Sequence, residues 1–202
     1  MENFNQKEEL IKESIKEIEN LDFIGNQDKV DIILTYKKFK PSSKIELFFK
    51  PGYKSYSEQD FKANIGKAER IFKNLSLPYD MEISKESDLH VAIFYIGRDN
   101  ECLDKIKKAF AEKGNGNNNK DLIIGKELGY PTTAIEGYRS KKIKKSDSLP
   151  EEVRNSGYIK FLNFQLSEDH WEEELKTVKE RADALRGISP DLYQKIIAVD
   201  KK

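Results

Sequence analysis

The amino-acid sequence predicts an α+β fold, with a mostly antiparallel sheet of about five strands, packed helices and one helix-turn-helix-like helical pair. Two observations lead to this fold class. Apolar residues alternate in several short runs, which is typical of strands, and they recur at three-to-four-residue spacing in others, which is typical of amphipathic helices. A length of 202 residues is enough for one buried core, so we predict a single domain over residues 1–202.

Five short apolar or alternating runs predict the strands of this sheet. The first two runs would form an antiparallel hairpin around the loop of residues 40–43, and the next two a second hairpin. In the fourth run Ala92, Phe94 and Ile96 make the second face apolar as well, so we expect that strand in the middle of the sheet. The five predicted strands cover residues 30–36, 45–49, 79–83, 89–96 and 158–166.

Apolar residues at helical spacing predict amphipathic helices before and between these strands. One helix covers residues 4–21, and another begins after the cap Ser57 and ends before Pro78. A further helix begins directly after the central strand, where Asp99 or Asn100 would cap it.

The C-terminal part of the chain predicts two more helices. Ser167 would cap a long helix whose apolar seam runs from Trp171 to Leu185, and Pro190 begins a final helix. Such a seam packs on the sheet or on another chain. A homodimer through the helix between Trp171 and Leu185 is therefore an alternative prediction.

A helix-turn-helix-like segment over residues 119–142 is the most tightly patterned part of the chain. This motif needs a small residue where the two helices cross and a glycine in the turn. Gly125 and Gly129 stand at these two positions, and Pro131 suits the start of the second helix. We expect Ile135 and Tyr138 to face back into the helical pair.

The outward surface of this pair leads to our prediction of function, a non-enzymatic binding protein with DNA or RNA as the leading ligand. Thr132 and Thr133 would point outward and touch a groove of the nucleic acid. The same surface also carries Glu136 and has no arginine, asparagine or glutamine, the side chains that usually read bases. Basic residues follow the second helix, where contacts to phosphates would be useful. These candidate phosphate contacts are Arg139, Lys141, Lys142, Lys144 and Lys145. Plain structural packing of the helical pair is the alternative.

A second basic segment lies in the first predicted hairpin. Lysines outnumber the single acid Glu46 between Tyr36 and Tyr56, and aromatic residues are interleaved with them. Basic groups beside exposed rings can hold phosphates and stack bases. The candidate phosphate contacts in this segment are Lys37, Lys38, Lys40 and Lys44. In the alternative interpretation the rings are core residues and the lysines solvate an edge strand.

The turn Gly97-Arg98-Asp99-Asn100 connects the central strand to the next helix and suggests a different function. Unpaired amides and the helix dipole converge at such a turn, so an enzyme or sensor could bind a small anionic or phosphorylated ligand there. One glycine is far short of a GxGxxG motif or a P-loop. A capped turn with a solvated Arg98 is the alternative.

Few residues in the chain are suited to catalysis at neutral pH. Cys102, His90 and His170 form no pattern of nucleophile and base. A single cysteine excludes an intramolecular disulfide and disfavours a thiolate metal site, and the abundant carboxylates single out no magnesium site. We therefore favour a protein that is not an enzyme and that needs no cofactor.

Composition constrains the partners and the compartment. Charged residues make up 36% of the chain at a formal net charge of zero, so any attraction to nucleic acid must be local. The N-terminus lacks the pattern of a secretory signal, and the longest apolar run, residues 91–96, is too short to span a bilayer. We expect a cytoplasmic protein with no membrane partner.

The helical pair also carries a resemblance. Gly125-Lys126-Glu127-Leu128-Gly129-Tyr130-Pro131, followed by Ala134-Ile135, resembles the LGYP-containing segment of uncharacterised prokaryotic proteins. In those proteins a Gly-basic-Asp turn precedes the segment, as Gly97-Arg98-Asp99 does here. Some of them carry paired cysteines after the proline, where this chain has Thr132 and Thr133. The resemblance implies no activity, and this departure argues against a thiol or metal role.

Overall fold

A computed structural model describes residues 2–50, 57–86, 89–111 and 118–198 of the chain. These residues form an α+β fold that is 62% helical. They contain one antiparallel sheet of three strands, so the prediction of about five strands is wrong. Residues 51–56 of the basic segment in the first predicted hairpin lie outside the described ranges.

Nine α-helices and three strands make up the described part of the chain. The helices are α1 Glu2–Asn20, α2 Asn26–Tyr36, α3 Glu58–Asn74, α4 Asn100–Ala111, α5 Asn118–Glu127, α6 Thr132–Arg139, α7 Glu151–Arg154, α8 Trp171–Ile188 and α9 Pro190–Ile197. The strands are β1 Ser42–Phe49, β2 Tyr79–Glu86 and β3 Leu89–Gly97, and two 3-10 helices cover Ser146–Ser148 and Gly157–Phe161.

Residues 30–36, which we predicted as a strand, belong to helix α2. The side chains of Val30, Ile32, Ile33 and Leu34 are all at most 1% exposed, so this helix is buried on most of its surface. Ile33 interrupts the alternation that suggested a strand. A short apolar run of this kind fits a buried helix as well as a strand, and periodicity does not separate the two.

The predicted strand at residues 158–166 is also wrong. Gly157–Phe161 is a 3-10 helix, and the stretch after it contributes a single isolated bridge, between Ile143 and Ser167. Within this run Phe161 packs on the C-terminal helices, because its ring stacks on that of Tyr193 of α9 at a centroid distance of 5.3 Å.

The second predicted hairpin and the central position of β3 are confirmed. The strand order is β1-β3-β2, and both outer strands pair antiparallel with β3. On one face Phe94 of β3 packs edge-on against Phe72 of α3, with ring centroids 5.4 Å apart. On the other face Tyr95 contacts Phe110 of α4. Helices cover both faces of β3, as two apolar faces require.

The apolar seam of α8 packs inside its own chain. Val178 and Leu185 are fully buried in the core, where α8 contacts α2, α9 and the 3-10 helix Gly157–Phe161. The buried part of the seam is therefore covered by helices of the same chain, and the homodimer stays a prediction. Ser167 lies in the turn before α8, where its hydroxyl accepts a hydrogen bond from the His170 amide at 3.1 Å.

The described residues contain neither a membrane-spanning helix nor a cluster of potential metal ligands. No helix among them carries an apolar stretch of the length that a bilayer crossing requires. Within the same ranges, no cluster of three or more histidine, cysteine, aspartate or glutamate side chains has the arrangement of a metal site.

Candidate functional site

Helices α5 and α6 form the helical pair that the glycine pattern predicts. The turn between them is closed by hydrogen bonds from the Tyr130 amide to the Gly125 carbonyl at 2.8 Å and from the Gly129 amide to Lys126 at 2.9 Å. Gly129 has a φ of +75°, which favours glycine. A Cβ atom added at Gly125 would lie 2.7 Å from Cγ1 of Ile135, so the small crossing residue is required.

The side chains of α6 follow the predicted orientation except at Thr133 and Tyr138. Ile135 is buried against α5, and Thr132 and Glu136 are exposed, whereas Thr133 is half-buried. Tyr138 was expected to face into the pair, but 53% of its surface is exposed. The exposed ring makes Tyr138 part of an open surface rather than of the core.

The turn of this helical pair is docked onto the domain core by Arg181 of α8. The guanidinium of Arg181 donates a hydrogen bond from Nη2 to the carbonyl oxygen of Gly129. A Cβ atom at Gly129 would lie 2.8 Å from that nitrogen and 3.3 Å from Cδ of Pro41. The turn glycine is therefore needed both for its backbone conformation and for this close packing.

Arg181 belongs to a buried polar cluster that also contains Lys40. The Lys40 ammonium lies 2.7 Å from Oδ2 of Asp31. Asn163 donates from Nδ2 to Oδ1 of Asp31 at 3.3 Å, and its own Oδ1 accepts from Nη1 of Arg181 at 3.3 Å. Burial lowers the pKa of Lys40 and of Arg181, and the charge of Asp31 opposes this shift for both.

The prediction that Lys40 contacts phosphate is therefore wrong. Its side chain has no exposed surface, because the α2–β1 connection folds it onto Asp31 beneath the turn at Gly129. A buried ammonium paired with a carboxylate is a structural element of the core.

A cavity of about 270 Å³ lies between the helical pair and residues 163–165; we call it the aromatic cavity. Tyr130 and Phe164 both line it, and their rings contact each other at a centroid distance of 5.5 Å. Burial raises the pKa of the Tyr130 hydroxyl, so this group stays protonated and can donate a hydrogen bond. The lining residues are Asp121, Ile124, Gly125, Tyr130, Ala134, Ile135, Tyr138, Asn163, Phe164 and Gln165.

A second cavity of about 540 Å³ follows the basic segment after α6; we call it the basic groove. It forms because residues 142–144 run antiparallel to residues 166–168. The Lys144 amide bonds to the Leu166 carbonyl at 2.8 Å and the Glu168 amide to the Lys142 carbonyl at 3.1 Å. The lining residues are Lys141, Ile143, Lys144, Lys145, Ser146, Leu162, Phe164, Gln165, Leu166 and Glu168.

The aromatic cavity and the basic groove are neighbours, because Phe164 and Gln165 line both. The ammonium of Lys144 lies over the ring of Trp171, 5.4 Å from its centroid, which holds that charge at the groove. Three lysines of one short segment are thus placed beside a set of aromatic side chains.

The other predicted phosphate contacts are not part of these two cavities. Lys142 forms an ion pair with Asp169 at 3.7 Å, and Arg139 is half-buried at the end of α6. Lys37 and Lys38 are exposed after α2, but they line neither cavity. Lys44 points at the ring of Phe110 and is paired with Glu46. The structure therefore brings together only part of the predicted nucleic-acid surface.

The turn at residues 97–100 supplies its own anion. Oδ1 of Asp99 accepts from the Cys102 amide at 2.9 Å, and Oδ2 accepts from Nε of Arg98 at 3.2 Å. The Cys102 amide at the helix N-terminus and Nε of the guanidinium therefore both bond to this carboxylate. Gly97 is needed for packing, since an added Cβ atom would lie 2.6 Å from the Leu103 amide nitrogen. These contacts agree with the capped-turn interpretation, and the anion site stays a prediction.

Cys102 has the properties of a structural thiol. Burial and the neighbouring Asp99 carboxylate raise its pKa to about 11. The thiol is consequently protonated at neutral pH and is a poor nucleophile. His90 packs its ring against that of Phe49, with centroids 5.4 Å apart.

The sequence interpretation missed several residues of the aromatic cavity. Asn163, Phe164 and Gln165 lie in the run that we predicted as a strand. Nothing in the sequence distinguishes Asp121 from the many other carboxylates of the chain. The aromatic content of residues 158–166 was the available signal, but it favoured a buried strand.

Comparison of the chain with protein-family models, with curated proteins and with solved structures returned no match. The resemblance to proteins with an LGYP-containing segment therefore stays a prediction, and the geometry of the two cavities is the basis for a functional proposal.

Proposed function

We propose that this protein binds nucleic acid, and that it holds a single strand along the basic groove with the aromatic cavity beside it. The observation that carries the proposal is that Phe164 and Gln165 line both cavities. Proteins that hold single strands combine a basic path for the phosphates with aromatic side chains on which bases stack. The two halves of that arrangement adjoin each other here.

The phosphate path is supplied by Lys141, Lys144 and Lys145, which line the groove with Glu168 as its one acidic side chain among the described residues. Lys141 and Lys145 are exposed, and the ion pairs found in the described part of the chain include neither of them. Their charges are available to phosphates. Lysine contacts of this kind release counterions, so binding should weaken as salt is added.

A single strand fits this surface better than a duplex groove. The exposed side chains of α6 include Thr132 and Glu136, and a carboxylate at that position repels the phosphates of a duplex. Tyr138 exposes half of its ring beside the aromatic cavity, where an unpaired base can reach it. Stacking of an unpaired base on an aromatic ring contributes about 1–3 kcal/mol.

The proposal is tested by fluorescence anisotropy with labelled single strands of about 12 nucleotides of RNA and DNA, and with matched duplexes. We expect the single strands to bind more tightly. The double variant Lys141→Glu with Lys145→Glu should weaken binding at least about tenfold, and it should reduce the slope of log K against log salt by about 1.4.

A matched control is available in the double variant Lys37→Glu with Lys38→Glu. Both pairs are exposed lysines, and each contains one residue with positive φ, 65° at Lys38 and 60° at Lys141. The charge change and the backbone context are therefore alike. Equal losses for the two variants, or binding that does not respond to salt, would contradict a specific basic groove.

A further inference from the structure

We infer that the aromatic cavity selects a guanine base from the bound strand. This inference rests on the proposed function, because it assigns the base that the cavity takes when the basic groove holds the backbone. Three features of the cavity favour guanine: its size, its one charged side chain among the described residues, and an amide whose orientation is fixed by its neighbours.

The cavity has the size and walls of a site for one ring system. Its volume of about 270 Å³ is just below the range of roughly 300–1,000 Å³ that is usual for drug-sized ligands. Tyr130 and Phe164 form its aromatic corner and Tyr138 its half-exposed rim. A base that leaves the strand could enter here while its phosphates remain on the adjoining groove, because Phe164 belongs to both.

Asp121 is the one charged side chain among the described residues that line the cavity. An ionised carboxylate only accepts hydrogen bonds. Guanine offers two adjacent donors, N1–H and the N2 amino group, and can therefore satisfy both oxygens of one carboxylate. Adenine and cytosine place a ring acceptor beside their amino group, and uracil places its single N–H between two carbonyl oxygens. Each of these three bases brings a lone pair against the carboxylate.

Asn163 supplies the complementary donor. Its Oδ1 must face Arg181, since a guanidinium only donates, and its Nδ2 must face the Asp31 carboxylate, which only accepts. The amide is thus held in one orientation by two partners. The second N–H of Nδ2 has no partner among the described residues, and because Asn163 lines the cavity, the O6 atom of guanine is a suitable acceptor for it. The buried cluster of Asp31 and Arg181 therefore acts on the cavity through Asn163.

The test compares eight-residue oligouridine strands that carry a central G, A, C or inosine, together with the four ribonucleoside monophosphates as separate probes. We expect the G-containing strand and GMP to bind about tenfold more tightly than their counterparts, because a bidentate pair gives that order of discrimination. Inosine lacks the N2 amino group and should fall between G and A.

The variant Asp121→Asn removes the second acceptor and the charge at nearly constant shape. It should abolish the preference for G while leaving the affinity for the A-containing strand within about twofold. Asp104→Asn is the control, since Asp104 is an exposed aspartate on α4 that does not line the cavity. Thermal unfolding of each variant shows whether a loss of selectivity reflects a loss of folding.

The outcomes separate this inference from the proposed function. Strands that bind equally whatever their central base, with no preference for GMP, would overturn the guanine site and leave the nucleic-acid groove in place. Binding of GMP that Asp121→Asn abolishes, without binding of any strand, would retain the base site and refute the groove. An unchanged preference for G in Asp121→Asn would also overturn the inference.

Discussion

The guanidinium of Arg181 and the carbonyl oxygen of Gly129 are joined by a hydrogen bond between helix α8 and the turn of the α5–α6 pair. Through the same side chain the turn is linked to Asn163, and through Asn163 to Asp31 and the α2–β1 region. One arginine thus connects the helical pair, the aromatic cavity and the buried ion pair. This connection fixes the position of the α5–α6 pair on the core of the protein.

The variant Arg181→Met should lower the free energy of unfolding by about 3 kcal/mol, because it leaves a half-buried carbonyl and part of the charge on Asp31 without a partner. Urea unfolding followed by the fluorescence of Trp171, the single tryptophan, would measure this loss. Arg186→Met on the exposed side of the same helix is the control and should change stability little. Similar losses for both variants would argue that the buried position of Arg181 has no special role.

The variant Gly129→Ala should cost about 1–2 kcal/mol, because its φ of +75° disfavours any side chain and an added Cβ atom would approach Arg181. Gly66→Ala in the middle of α3 is the matched comparison, since a Cβ atom there meets nothing within 4 Å. That substitution should stabilise the protein by about 0.5–1 kcal/mol. A stabilising effect at Gly129 would contradict the close contact.

The variant Lys40→Met should destabilise the protein by about 3 kcal/mol, because it leaves the carboxylate of Asp31 without its cation. Combining it with Asp31→Asn should recover at least half of that loss, since the pair of charges is then absent. Lys38→Met, two residues away and exposed, is the control. Neither Lys40→Met nor Lys38→Met should change the affinity for nucleic acid. A weaker affinity in folded Lys40→Met would show that Lys40 contacts the nucleic acid after all.

The thiol of Cys102 should react slowly in the folded protein. Its pKa of about 11, against an ordinary value of 9.0, lowers the thiolate fraction at pH 8 about 100-fold. The rate of alkylation by iodoacetamide should therefore rise about tenfold for each pH unit and level off only near pH 11. Asp99→Asn keeps a good cap but removes the carboxylate charge, so it should lower the pKa of Cys102. A rate that levels off near pH 9 in the folded state would contradict the raised pKa.

Several elements could be predicted because their signals are local. Ser57 caps α3 as its spacing to Asp60 indicates, and the amide of Asp60 bonds to the Ser57 hydroxyl at 3.1 Å. The central strand β3 was found from its two apolar faces, since only a strand covered on both sides needs them. In each case, residues close together in the sequence are enough to predict the element.

Other elements were predicted incorrectly because their apolar residues contact distant parts of the chain, and the local sequence does not indicate these contacts. Ile33 and its neighbours in α2 are buried by helices from distant parts of the chain, and Phe161 packs on Tyr193 of α9. Both runs fit a strand when taken alone. Tertiary packing overrides such a preference, because burial supplies more free energy than local propensity.

The sequence by itself determined the α5–α6 pair, its glycine turn and the basic segment that follows it, since backbone conformation and charge are properties of adjacent residues. Tertiary structure alone decided that Lys40 is buried while Lys141 and Lys145 line a groove, and that Phe164 lies between that groove and the aromatic cavity. The physical reason is that a lysine, an aspartate or an aromatic ring has the same chemistry in any sequence. Its solvation, and therefore its availability to a ligand, depends on which distant residues pack around it.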